Sequence, residues 1–98
     1  MKIEHGLSAP QWAWEAQDVS PTEKLVLLAL ASFQITHDGM TSPSKAEIAR
    51  RCCIKSPRTI NAAISGLEGK GLIKVYGRRD ERGVHRSNIY HLNMEAQT

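Results

Sequence analysis

The stretch Ser44–Leu72, SKAEIARRCCIKSPRTINAAISGLEGKGL, decides how this chain folds. Ser44 and Glu47 stand in capping-box spacing, where the serine accepts from the N–H of Glu47 and the glutamate reaches back to that of Ser44. Pro43 keeps Ser42 out of the helical region, so the helix starts at Ser44. Ile48, Ala49 and Cys52 form its inward edge, with Lys45, Arg50 and Arg51 outward, and it ends near Cys53. Ile54 plugs the following turn into the core. Ser56-Pro57 is a second start, a serine cap with proline at the first helical position, where a missing N–H costs nothing. Ile60, Ala63, Ile64 and Leu67 then fall at i, i+3, i+4 and i+7, an apolar stripe, and the opposite face carries Arg58, Asn61, Ala62 and Ser65. Gly69-Lys70-Gly71 ends this helix, glycine being free to turn left-handed.

Upstream, Ser20-Pro21-Thr22-Glu23 gives a third cap, again with a capping box. The KLVLLALASF that follows is apolar nearly all round, with Leu25, Leu28, Ala29 and Phe33 at helical spacing, and predicts a buried central helix. His37-Asp38-Gly39 turns the chain, and a short strand is expected near residues 40–41. Residues 1–19 show no period and are taken as an N-terminal arm. Trp12 and Trp14, two apart, would share one side of an extended arm, as an interface or packed across the helices.

Downstream, Leu72–Arg78 (LIKVYGR) alternates and reads as a strand, and Asn88–Asn93 (NIYHLN) as its partner, with Tyr90 and Leu92 on one face. The polar loop RDERGVHRS (Arg79–Ser87) joins them, and residues 94–98 read as a flexible tail. The expected fold class is α+β, mainly α: three helices plus a C-terminal β-hairpin, one domain over residues 20–93. Two helices joined by a tight turn and followed by a hairpin with a basic tip make a winged helix-turn-helix.

Charge agrees with that reading. Residues 1–44 carry two basic side chains against five acidic ones, a net −3, whereas residues 45–98 carry eleven against five, a net +6. The excess coincides with the second helix and the hairpin, as a phosphate-binding face requires. Adjacent cysteines such as Cys52 and Cys53 rarely have the geometry for an unstrained disulfide. With no CxxC pair and four scattered histidines, no metal site or cofactor is expected. No apolar run approaches the roughly 18 residues of a membrane span, and the N-terminus lacks the apolar core of a signal peptide, so the expectation is a cytoplasmic protein.

The sequence resembles the winged-helix domains of bacterial and phage transcriptional regulators and of phage and plasmid replication initiators. The pieces that carry the resemblance are Trp-Ala-Trp before the first helix, SPTEKLVLLALA, DGMTSPS, EIARR, SPRTINAAISGLEGKGLIKV and NIYHL, covering about residues 12–93. Such domains often have glycine where this chain has Cys53, and a cysteine at positive φ costs about 1 kcal/mol. Replication initiators of this kind usually continue into a region that contacts helicase machinery, so the chain is expected to be a stand-alone regulator or an excised domain.

The resemblance implies double-stranded DNA as partner, and elementary chemistry assigns the contacts. Ser56 opens a helix whose N-terminal amides suit a phosphate. Arg58 suits guanine, Asn61 adenine and Ala62 a thymine methyl. Thr59 and Ser65 join that face, with Lys45, Arg51 and Lys55 on the flanking backbone. In the wing, Arg78, Arg79, Arg82, His85 and Arg86 suit backbone or a narrow minor groove. The alternative is a protein-docking winged helix that engages a replication or transcription protein, with Trp12, Trp14 and Tyr76 as exposed anchors. A homodimer through the Trp12–Trp14 arm would pair two half-sites. RNA binding lacks an aromatic platform, and no nucleophile–base pair or phosphate-cradling glycine loop points to an enzyme.

Overall fold

The computed structural model describes residues 8–79 and 85–94, with the side chains of residues 78–86 outside that description. Four helices and three strands follow in the order α1 (Ala9–Glu15), α2 (Pro21–Ser32), β1 (Met40–Thr41), α3 (Lys45–Cys52), α4 (Pro57–Gly69), β2 (Ile73–Arg79) and β3 (His85–Leu92). The strands form one antiparallel sheet in the order β1-β3-β2. The winged helix-turn-helix expected from the sequence is present, with one helix more than the three foreseen.

That extra helix corrects the reading of the arm. Ser8 caps it with a full capping box to Gln11, and Pro10 sits in its first turn. In a helix, residues two apart point about 200° from each other, so Trp12 and Trp14 cannot share a face. Trp12 is 1% exposed, packed with Ala13 and Ala16 in the core, and Trp14 is 64% exposed. Trp12 therefore leaves the set of interface residues, and only Trp14 stays available at the surface. The C-terminus of α1 is closed from α2, where the Lys24 ammonium donates to the carbonyls of Ala13, Trp14 and Ala16 at 3.1, 2.6 and 2.7 Å. Three carbonyls at this helix end thus share one cation.

α2 begins as foreseen at the Ser20 capping box with Pro21 at its first position. The buried residues are Val26, Leu27, Ala29, Leu30 and Ala31, whereas Leu25 is 41% exposed and Leu28 and Phe33 are only half-buried. A helix apolar all round has no period that selects its inner face; here the arrangement of α1, α3 and α4 around it makes the choice. α3 starts at the Ser44 capping box. Its Cys52 thiol donates to the Leu25 carbonyl at 3.7 Å, and burial pushes the pKa of that thiol up, which keeps the donor protonated.

α2 and α4 approach closely at Gly66, where an added Cβ would lie 2.0 Å from the Glu23 carboxylate. That carboxylate is held twice, by the Ser20 N–H at 2.9 Å and by an ion pair with Lys70 beyond the end of α4. The Lys70 contact first, and the Ser20 amide second, lower its pKa below the usual glutamate value. Thr36 and the N-cap of α3 likewise lower Asp38 and Glu47. Because these carboxyls have lower pKa values folded than unfolded, their stabilisation is present above the unfolded value and is lost as pH falls through the folded one. The thermal midpoint is therefore expected to drop as pH falls below about 4.3, the ordinary glutamate value. Glu23→Gln should lower the neutral-pH midpoint and flatten this acid slope; an unchanged slope would exclude Glu23 as a contributor.

The sheet closes the core from the other side. Ile73 pairs with Leu92 and Val75 with Tyr90, which places those side chains on the inner face, with Tyr90 and Leu92 buried as expected. β1 covers the far edge, Met40 opposite His91 and Thr41 opposite Tyr90. The register shifts between Tyr76 and Arg78, where Gly77 of β2 stands against two residues of β3, Ser87 and Asn88, so the extra residue of this bulge lies on β3 where the wing leaves the body.

Candidate nucleic-acid interface

The turn between α3 and α4 is a left-handed helix cap. Cys53 has φ 58° and ψ 36°, its N–H donates to the Arg50 carbonyl at 3.3 Å, and the Ile54 N–H reaches the Ala49 carbonyl at 3.0 Å. These are the two bonds of a Schellman motif, and Ile54 and Ala49 line the same groove beside it. The conformation that glycine would adopt freely is thus held by a cysteine. Cys53→Gly removes the steric strain of a side chain at positive φ but adds entropy to the unfolded chain. A net gain of about 0.5–1 kcal/mol is expected from urea unfolding; a loss of stability would mean that the exposed thiol makes a favourable contact.

α4 follows Ile54 after two intervening residues, Lys55 and the Ser56 cap. Ser56 accepts from the Thr59 N–H at 3.3 Å, so its hydroxyl is occupied as a cap, and Pro57 stands at the first position. Ile60, Ala63, Ile64 and Leu67 are buried. Opposite them, Arg58, Asn61, Ala62 and Ser65 are exposed, as is Thr59 on the flank toward α2. A shallow groove beside α4, lined by Ser20, Thr22, Glu23, Arg58, Thr59, Ala62 and Ala63, separates it from the start of α2. The helix ends in a second Schellman motif, with Leu72 N–H to Leu67 carbonyl at 3.1 Å and Gly71 N–H to Glu68 carbonyl at 3.0 Å. Gly71, at φ 78°, and not Gly69, takes the left-handed position.

From there the chain enters the wing at once. The Glu68 carboxylate accepts from the Val75 N–H at 3.0 Å, tying the last turn of α4 to β2. Lys45, Lys55 and Arg58 are exposed. Arg51 differs: its guanidinium stacks 4.1 Å from the Phe33 ring centre and donates to the Ser32 hydroxyl at 2.8 Å, on the flank of α3 that meets α2. Though exposed, it is the one basic residue of α3 and α4 whose charged group has a side-chain partner within the chain among the described residues. Arg50, exposed on α3, was not among the sequence candidates; its place opposite Ile48 was legible from helical spacing. In the wing, the backbones of Arg78, Arg79, His85 and Arg86 lie in paired strands, Arg78 opposite Arg86 and Arg79 opposite His85. Their side chains and Arg82 lie outside the described residues.

Among those residues no group of histidine, cysteine, aspartate or glutamate is placed to hold a metal ion, and no helix is long and apolar enough to cross a membrane. No curated protein and no solved structure matches this chain. A family model described as a helix-turn-helix domain matches residues 18–73, from just before the Ser20 cap to the first residue of β2. With more than half its length matched and two capped helices joined through Cys53, the chain belongs to the helix-turn-helix domain family.

Proposed function

We propose that the chain binds double-stranded DNA with α4 in the major groove and its basic wing, residues 78–87, on the backbone or minor groove. The role is that of a bacterial, phage or plasmid transcriptional regulator or replication-origin binder in the cytoplasm, a binding role and not a catalytic one. One observation carries this reading: the exposed face of α4, with Arg58, Asn61, Ala62 and Ser65 turned away from Ile60, Ala63, Ile64 and Leu67. A helix-turn-helix puts such a face against base edges. Arg58 supplies a two-pronged donor for guanine, Asn61 a donor–acceptor pair for adenine, and Ala62 a methyl for thymine.

Selection of bound duplexes from a random library provides the site. On it, Arg58→Ala is expected to weaken binding by about 1–3 kcal/mol and to relax discrimination at one base position. Equal weakening on all duplexes would make Arg58 a backbone contact; no duplex bound at low salt would end the reading. Docking of a replication or transcription protein is the second reading, supported by the exposure of Trp14 and Tyr76, 64% and 45%. A self-pairing contact at Trp14 with the neighbouring α2 would make the chain a homodimer, which sedimentation with and without duplex tests.

A further inference from the structure

The groove between α3 and the start of α4 has a floor that phosphate contacts do not use. It is lined by Lys45, Ala46, Ala49, Ile54, Lys55, Pro57 and Ile60 and encloses about 460 Å³. The floor is aliphatic: Ile60 is buried, Ala49 and Ile54 half-buried, Ala46 and Pro57 exposed. Lys45 and Lys55 are the only charged side chains lining it, both exposed, and neither has an ion pair or side-chain hydrogen bond among the described residues. The groove beside β1 has the opposite character, with Glu47 as its charged member and Gln34, Thr36 and Ser42 in its wall.

Two amines around an aliphatic trough set the chemistry of an occupant. Apolar side chains must fill the floor, because a phosphodiester or a hydrated anion laid there would be desolvated against methyl groups with no donor. Carboxylates must flank them to meet the two ammonium groups. We infer that this groove docks an acidic, amphipathic polypeptide segment, a helix laying its apolar edge between α3 and α4. The segment takes Lys45 and Lys55 away from DNA, so it acts as a competitor of duplex binding; that competitive consequence rests on the DNA reading proposed above, and the docking does not.

The probe is a capped synthetic peptide of about 14 residues with leucines at i, i+3, i+4 and i+7 and glutamate and alanine elsewhere. Titrated into the isotope-labelled full chain without DNA, it is expected to shift the amides of Ala46, Ala49, Ile54 and Ile60. Lys45→Glu combined with Lys55→Glu should weaken the peptide about tenfold. A lysine-for-glutamate peptide should reverse that preference and bind the doubly substituted chain better than the original. Both substitutions are at exposed positions and glutamate suits the first turn of α3, so the fold is retained, which unchanged shifts of Trp12 and Tyr90 verify.

Shifts spread over the outer face of α4 and the wing while the groove stays silent would overturn the proposal. So would indifference to charge reversal, or a duplex that moves the groove residues when the peptide does not. Peptide binding by a chain that binds no duplex would leave the docking site standing and remove the DNA reading. Simultaneous binding of both without mutual weakening would overturn the competition.

Discussion

Trp12→Ala is expected to cost about 3–5 kcal/mol of folding stability, the range for truncating a buried tryptophan. The indole is 1% exposed and is the largest fully buried side chain, so its removal leaves a void bounded by α1 and α2. A domain of this size has roughly 5–15 kcal/mol in all, and the midpoint should fall on the order of 20 °C. The indole N–H has no partner among the described residues, an unmet donor in the core. Trp12→Phe removes that donor along with some volume, so the two effects oppose and the loss should stay under about 1.5 kcal/mol. Thermal unfolding of both variants checks the pair. Equal and small losses would mean that α1 is docked only loosely on α2.

The second large effect is on DNA. If Lys45, Lys55 and the basic wing together meet about six phosphates, log K falls with log salt at a slope of about −5. Between 50 and 200 mM salt, affinity for a duplex should then fall by about a thousandfold. Fluorescence anisotropy of a labelled duplex reads this directly. Lys45→Gln should lower the magnitude of the slope by about 1 and weaken every duplex alike, because a phosphate contact carries no base information. An affinity that does not respond to salt would be incompatible with this mode of binding. Arg51→Gln, by contrast, should leave the slope unchanged, since that guanidinium is engaged by Phe33 and Ser32.

The parts of the fold that were legible in the sequence are those fixed by local chemistry. Ser20, Ser44 and Ser56 each begin a helix at the position their spacing indicates, and Tyr90 and Leu92 fall on the buried face that alternation gives them. α1 escaped because seven residues give no period, although Ser8 and Gln11 stand in capping-box spacing with Pro10 between them. The inner face of α2 escaped for the opposite reason, since an all-apolar helix offers several equivalent stripes. Cys53 is a case where the resemblance carried more than propensity, which disfavours cysteine at positive φ. The candidate interface was readable on α4 because polar and apolar faces separate cleanly there. Neither the engagement of Arg51 nor the aliphatic floor under Lys45 and Lys55 has a sequence signature. Both arise from residues brought together across helices.

The bond from the Val75 N–H to Glu68 has a metric consequence. Only Lys70, Gly71 and Leu72 lie between α4 and β2, and the Schellman bonds fix their path. The end of α4 and the start of β2 thus form the two arms of a caliper, with the opening set by covalent geometry and one carboxylate. On the DNA reading proposed above, a duplex gripped by both arms has to match that opening, and the spacing between neighbouring grooves is then read even where no base edge is touched.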